Sequence, residues 1–94
     1  MRVRWTRAAN RDLNSVGEYI ARDNPGAAVD TVLKIVQQVG RLADHPGMGR
    51  PGRVEDTREL VVTGLPYVVP YVHEGGTVTV LRVIHGAMKW PERF

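Results

Sequence analysis

The sequence predicts an α+β domain spanning residues 1–94, an α-helical hairpin packed on a mostly antiparallel four-stranded sheet in the order β-α-α-β-β-β. Three observations predict it. Two apolar stripes at helical spacing follow one another across residues 6–44, separated only by Asp23-Asn24-Pro25. Three strand-like runs fill residues 57–85, two of them joined by Gly75-Gly76. A short alternating run, Arg2-Val3-Arg4-Trp5, precedes the first helix and supplies a further strand.

Each element has a local cause. Thr6 is an N-cap residue, and Ala9, Leu13, Val16 and Ile20 then recur on one side of a helix whose other sides carry Arg7, Arg11, Asp12, Glu18 and Arg22. Gly17 costs this helix roughly 1 kcal/mol relative to alanine unless close packing needs the missing side chain. Asn24 caps a second helix with Pro25 at its first position, where the absent N–H would be unpaired anyway. Ala28, Val32, Ile35, Val39 and Leu42 mark its apolar stripe, which Val29, Leu33 and Val36 widen. That width suits a helix packed on both its partner helix and the sheet, and it also suits a docking surface for another chain; the first is the reading the pattern favours. The helix stops before His45-Pro46-Gly47.

Residues 48–56 read as a loop. Its Arg50 and Arg53, set among Gly and Pro, fit either an anion site or pairing with nearby Glu55 and Asp56. Strands are expected over residues 57–62, 67–74 and 77–85, with Arg82 pointing alongside Val78, Val80 and Ile84, and His85 alongside Leu81 and Val83. Pro70 falls within the middle strand of this meander, where it cannot donate a ladder bond, so a bulge or a missing bond is expected there.

Composition narrows the chemistry. The formal net charge is +3, and eleven of the thirteen basic residues are arginine, which suits bidentate contact with carboxylate or phosphate. The excess is spread along the chain, so a basic patch has to be made by folding. There is no cysteine, which excludes disulfides, iron–sulfur clusters and thiolate zinc sites. His45, His73 and His85 have no metal-ligand spacing, and Ser15, the single serine, sits inside a helix without a nucleophile elbow. No cofactor or metal is expected. Without a signal-like or membrane-length apolar run, the chain is expected to be soluble and cytoplasmic.

What remains is a set around the last strands: Arg50, Arg53, Arg58, Arg82, His85, Lys89, Tyr67, Tyr71 and Trp90. These residue types can serve metal-free RNA cleavage, in which a base takes the 2′-OH proton, cations hold the phosphate and an acid protonates the leaving oxygen. His85 titrates in the useful range, Glu59 or Glu74 is a second proton carrier, Arg58 and Arg82 are phosphate ligands, and Tyr67 or Trp90 stacks a base. Taken by itself, His85 reads more simply as a half-buried, hydrogen-bonded histidine at a strand end.

Nearly the whole chain resembles the RelE/ParE superfamily of bacterial toxins from type II toxin–antitoxin modules. The likeness is carried by Ala9, Asp12, Leu13 and Tyr19-Ile20, by Asn24-Pro25 and Ala27-Ala28, and by Leu42, Pro46, Gly49-Arg50 and Gly52-Arg53. It continues through Thr57-Arg58-Glu59-Leu60, Pro66-Tyr67-Val68-Val69, Tyr71, Arg82-Val83, His85-Gly86-Ala87 and Trp90-Pro91. The resemblance implies a growth-inhibiting toxin neutralised by a cognate antitoxin that wraps it with a helix and an extended segment, with Val29, Leu33 and Val36 as antitoxin contacts. RelE-like members cut mRNA in the ribosome. On that reading, which the sequence favours, His85, Arg82, Arg58 and Lys89 form the catalytic set of a metal-independent endoribonuclease, and Arg50, Arg53, Tyr67 and Trp90 bind RNA. ParE-like members poison DNA gyrase without catalysis. Ala87 and Met88, standing where the family often has an arginine, favour that alternative.

Overall fold

The computed structural model describes residues 1–94. Its elements are β1 (Arg2–Trp5), α1 (Arg7–Ala21), α2 (Pro25–Gly40), a 3₁₀ turn (Arg41–Ala43), β2 (Arg50–Pro51), β3 (Arg58–Val61), β4 (Tyr67–Glu74), β5 (Thr77–Val80) and β6 (Ile84–His85). The sheet runs in the order β1-β5-β4-β3-β2, with β6 paired to β4 beyond the end of β5. Every pairing is antiparallel except β1 with β5. The α+β class and the element order are those expected.

Both helix starts follow from their caps. Thr6 Oγ1 accepts from the Ala9 N–H at 3.0 Å, and Asn24 Oδ1 accepts from the Ala27 N–H at 3.1 Å. Gly17 has a packing reason: a Cβ there would lie 3.3 Å from Val32 Cγ2, where α1 meets α2. The helices cover the sheet face that carries Leu60, Val69, Tyr71, Val78 and Val80, which pack with Ala9, Ile35, Val39 and Leu42. Gly75 and Gly76 both have positive φ, 53° and 78°, and close the hairpin between Glu74 and Thr77.

Three expectations change. Two residues of the anticipated loop, Arg50 and Pro51, form β2 against β3. Gly49 permits the approach: a Cβ there would lie 2.6 Å from Tyr71 Oη and 2.9 Å from the Glu59 carbonyl. Second, the wide stripe of α2 is not all core. Val29, Leu33 and Val36 are 59%, 51% and 41% exposed, so packing on α1 and the sheet accounts only for the other positions.

Third, the expected strand over 77–85 is divided. Tyr71 faces Val80, but Val68 faces Ile84, so three steps along β4 match four along its neighbour. One residue is therefore inserted between β5 and β6, a bulge of the kind anticipated for the neighbourhood of Pro70. The Leu81 N–H donates to the Pro70 carbonyl at 2.9 Å, whereas Pro70 has no N–H to return. The Leu81 carbonyl instead accepts from the Thr6 hydroxyl at 2.9 Å. On its other edge Pro70 stands opposite Glu59 in an unbroken register, because the β3–β4 bonds fall on the neighbouring pairs. The bulge also reverses the expected directions. Val83 joins Val78 and Val80 in the core, and Arg82 turns to Asp12 on α1.

Candidate functional site

An open groove of about 1010 Å³ runs between α1 and the segment 82–92. Val16 and Tyr19 of α1 form one wall, His85, Met88 and Trp90 the other, and Tyr67 lies between them. Five expected site residues line it: Tyr67, Arg82, His85, Lys89 and Trp90. Arg50, Arg53 and Arg58 do not, nor do Val29, Leu33 and Val36.

β4 and β6 position the histidine. His85 pairs with Tyr67, and their rings meet edge to face with centroids 5.5 Å apart. The His85 Nδ1 accepts from the Ala87 N–H at 3.1 Å, so in the neutral ring the proton sits on Nε2. That agrees with the simpler reading of His85 as a half-buried, bonded strand-end residue. Burial raises the Tyr67 phenol above its ordinary value, and Tyr19 adds to the rise.

The bulge presents Arg82 to α1. Its Nε donates to Asp12 Oδ2 at 2.6 Å and its Nη2 to Asp12 Oδ1 at 3.0 Å. The Val83 N–H donates to the same Oδ2 at 2.9 Å. Asp12 thereby ties the bulge to the helix, and its hydrogen bonds push the Arg82 guanidinium above its ordinary value. An arginine bound bidentately to carboxylate has surrendered the fork that would grip phosphate.

The other three candidate arginines are likewise engaged. Arg58 Nη1 donates to the Gly49 carbonyl at 2.9 Å and reaches the Gly47 carbonyl at 3.5 Å. Arg50 Nε and Nη2 lie 3.0 and 2.9 Å from Glu59 Oε1. The Arg53 N–H donates to Glu59 Oε2 at 2.8 Å, and the Arg53 guanidinium sits over the Trp90 ring, 4.0 Å from its centroid. Arg50 and Arg53 thus pair with Glu59 and not with Glu55 or Asp56. Glu59, weighed as a proton carrier, is 2% exposed and held as an ion-pair acceptor.

Two residues that organise the site, Asp12 and Glu59, had no such role in the sequence. Asp12 sits beside Leu13 at the margin of the α1 stripe, and a carboxylate there is the signal that a partner lies across the helix–sheet boundary. Glu59 alternates with Arg58 and Leu60 like any strand residue, and nothing local marks it as buried.

Residues 3–90 match the family model described as the ParE toxin of type II toxin–antitoxin system, parDE. A putative toxin, Y4kP, of Sinorhizobium fredii is 44% identical over 91 residues, which cover 97% of this chain and 94% of that protein. Toxin RelE2 of Caulobacter vibrioides is 36% identical over 85 residues, covering 90% and 94%. A chain from the chromosomal ParDE TA system of P. aeruginosa superposes with a TM-score of 0.83 at 31% identity, over 90% of this chain and 95% of that one. With two helices packed on a mixed sheet and the matched span of residues 3–90, this chain belongs to the ParE toxin family of type II toxin–antitoxin systems, within the RelE/ParE superfamily.

Proposed function

We propose that this toxin arrests growth by binding its target rather than by cutting RNA, with DNA gyrase as that target. One observation carries the reading. Arg50, Arg53, Arg58 and Arg82, the arginines offered for holding phosphate or RNA, all make contacts within the protein. RNA cleavage requires positive charge aimed at the phosphate where extra charge develops, together with a positioned acid and base. Lys89 is left as the cation beside His85 in the groove. The family match and the P. aeruginosa ParDE relative support gyrase, while the name of the C. vibrioides relative supports the RNA alternative.

Within this reading the groove between α1 and residues 82–92 is the surface that meets the target. The exposed Val29, Leu33 and Val36 of α2 are covered by a cognate antitoxin when the toxin is silent, and both events take place in the cytoplasm. Two assays on the purified toxin test the target. Gyrase supercoiling of a relaxed plasmid is expected to fail as toxin is added, with cleaved complexes accumulating, while mRNA on translating ribosomes stays intact. Undisturbed supercoiling, with message cleavage that disappears in His85→Ala, would establish the nuclease instead.

A further inference from the structure

Trp90 forms part of the groove wall, yet its indole N–H is buried with no hydrogen-bond partner. Its polar contact is through the ring face, with the Arg53 guanidinium 4.0 Å from the centroid. Arg53 is itself held from behind: its backbone N–H is fixed by Glu59 Oε2 at 2.8 Å, and its Nε lies 3.9 Å from the same oxygen. The other carboxylate oxygen is occupied by Arg50. A buried carboxylate on β3, an arginine on the preceding loop and a tryptophan of the C-terminal segment thus form one continuous chain of contacts.

We propose that Glu59 is a positioning residue that sets the groove wall by acting through Arg53 on Trp90. A carboxylate this deeply buried is stabilised only where donors converge on it. Arg50 and the Arg53 N–H supply those donors, so the backbone at Arg53 has little freedom. Its side chain therefore starts from a fixed point and reaches Trp90 in one orientation. Residues 86–94 form no helix or strand; backbone bonds tie Gly86 and Met88 to the Pro66 and His85 carbonyls, and beyond them the Arg53 stack holds Trp90 in the wall. The proposal uses the function given above only in treating the groove as the target surface; the coupling itself holds whatever the target is.

Tryptophan emission reads it directly. Trp5 is the other tryptophan, so Trp90→Phe supplies the Trp5 background to subtract. Arg53→Ala is expected to shift Trp90 emission to the red and to raise its acrylamide quenching constant about two- to fivefold, with Arg53→Lys retaining part of the protection. Glu59→Gln is expected to move both readouts in the same direction, and to add nothing once Arg53 is alanine. A Glu59→Gln protein with unchanged helical circular dichroism and wild-type quenching would overturn the positioning role, as would an additive effect in the double variant. Should Glu59→Gln fail to fold, Arg50→Ala, which takes one donor from the carboxylate at a half-exposed position, replaces it. Raised quenching in Arg50→Ala upholds the coupling, and wild-type quenching refutes it. Unchanged quenching in Arg53→Ala refutes the stack, and a loss of target inhibition without any change in Trp90 emission would place Arg53 in contact with the target instead.

Discussion

At the scale of single residues, Tyr71 shows how much one side chain is asked to hold. It is fully buried, its hydroxyl donates to the Pro46 carbonyl at 2.7 Å, and the same oxygen accepts from the Gly49 N–H at 3.0 Å. Those two bonds pin the segment that leads into β2. Burial raises the phenol above its ordinary value of 10.0, although the Gly49 bond and Arg58 pull the other way. The folded protein keeps the proton to a higher pH than the unfolded chain does. The contribution is therefore complete below pH 10.0 and is lost as pH rises beyond it. Tyr71→Phe is expected to cost about 2 kcal/mol at neutral pH, since it orphans a buried donor and acceptor. It should also flatten the alkaline fall in stability. Urea unfolding at several pH values checks both, and an alkaline limb as steep as that of the wild type would count against this account of Tyr71.

At the scale of elements, Pro70 and Thr6 belong to one device. Pro70 removes a donor from β4, the carbonyl of Leu81 is left free, and the hydroxyl of Thr6 takes it while also capping α1. The start of the first helix is thereby bonded to the bulge that aims Arg82 at Asp12. Thr6→Val keeps the shape but removes both bonds, and a loss of about 2 kcal/mol is expected. Thr6→Ser restores both donors and acceptors and should recover most of the loss. The measurement is the urea midpoint at constant slope. A Thr6→Val midpoint equal to that of the wild type would show that solvent satisfies the Leu81 carbonyl.

At the scale of the whole molecule, the chain has one small core, with the side chains of Val29, Leu33 and Val36 standing outside it. A domain of this size has a modest margin of stability, and a partner that binds only the folded form adds to it by mass action. Under the proposed antitoxin contact, Leu33→Asp would bury a charge in an apolar interface while changing little in the free toxin, where Leu33 is half exposed. The expected outcome is antitoxin affinity weakened about 10- to 100-fold, with the toxin's own Tm nearly unchanged. Calorimetric titration of the purified pair measures it. An unaltered Kd would move the antitoxin to another face.

The sequence by itself determined the two helices, the hairpin and their order, because caps, stripes and turn glycines act within a few residues of one another, whereas β2 and the division of the last strand depend on pairing across the sheet. Thr6, Asn24 and Gly75-Gly76 could be read without knowing what lies across the fold. It also located the irregularity near Pro70, since a missing donor is a property of the residue itself. Only the tertiary structure decided what the charged side chains do. Asp12 meets Arg82 across 70 residues of chain, and Glu59 meets Arg50 only because β2 folds back on β3. An arginine looks the same in sequence whether it faces phosphate or carboxylate. The partner that converts it from a candidate ligand into a strut is supplied by packing, and no local pattern carries that information.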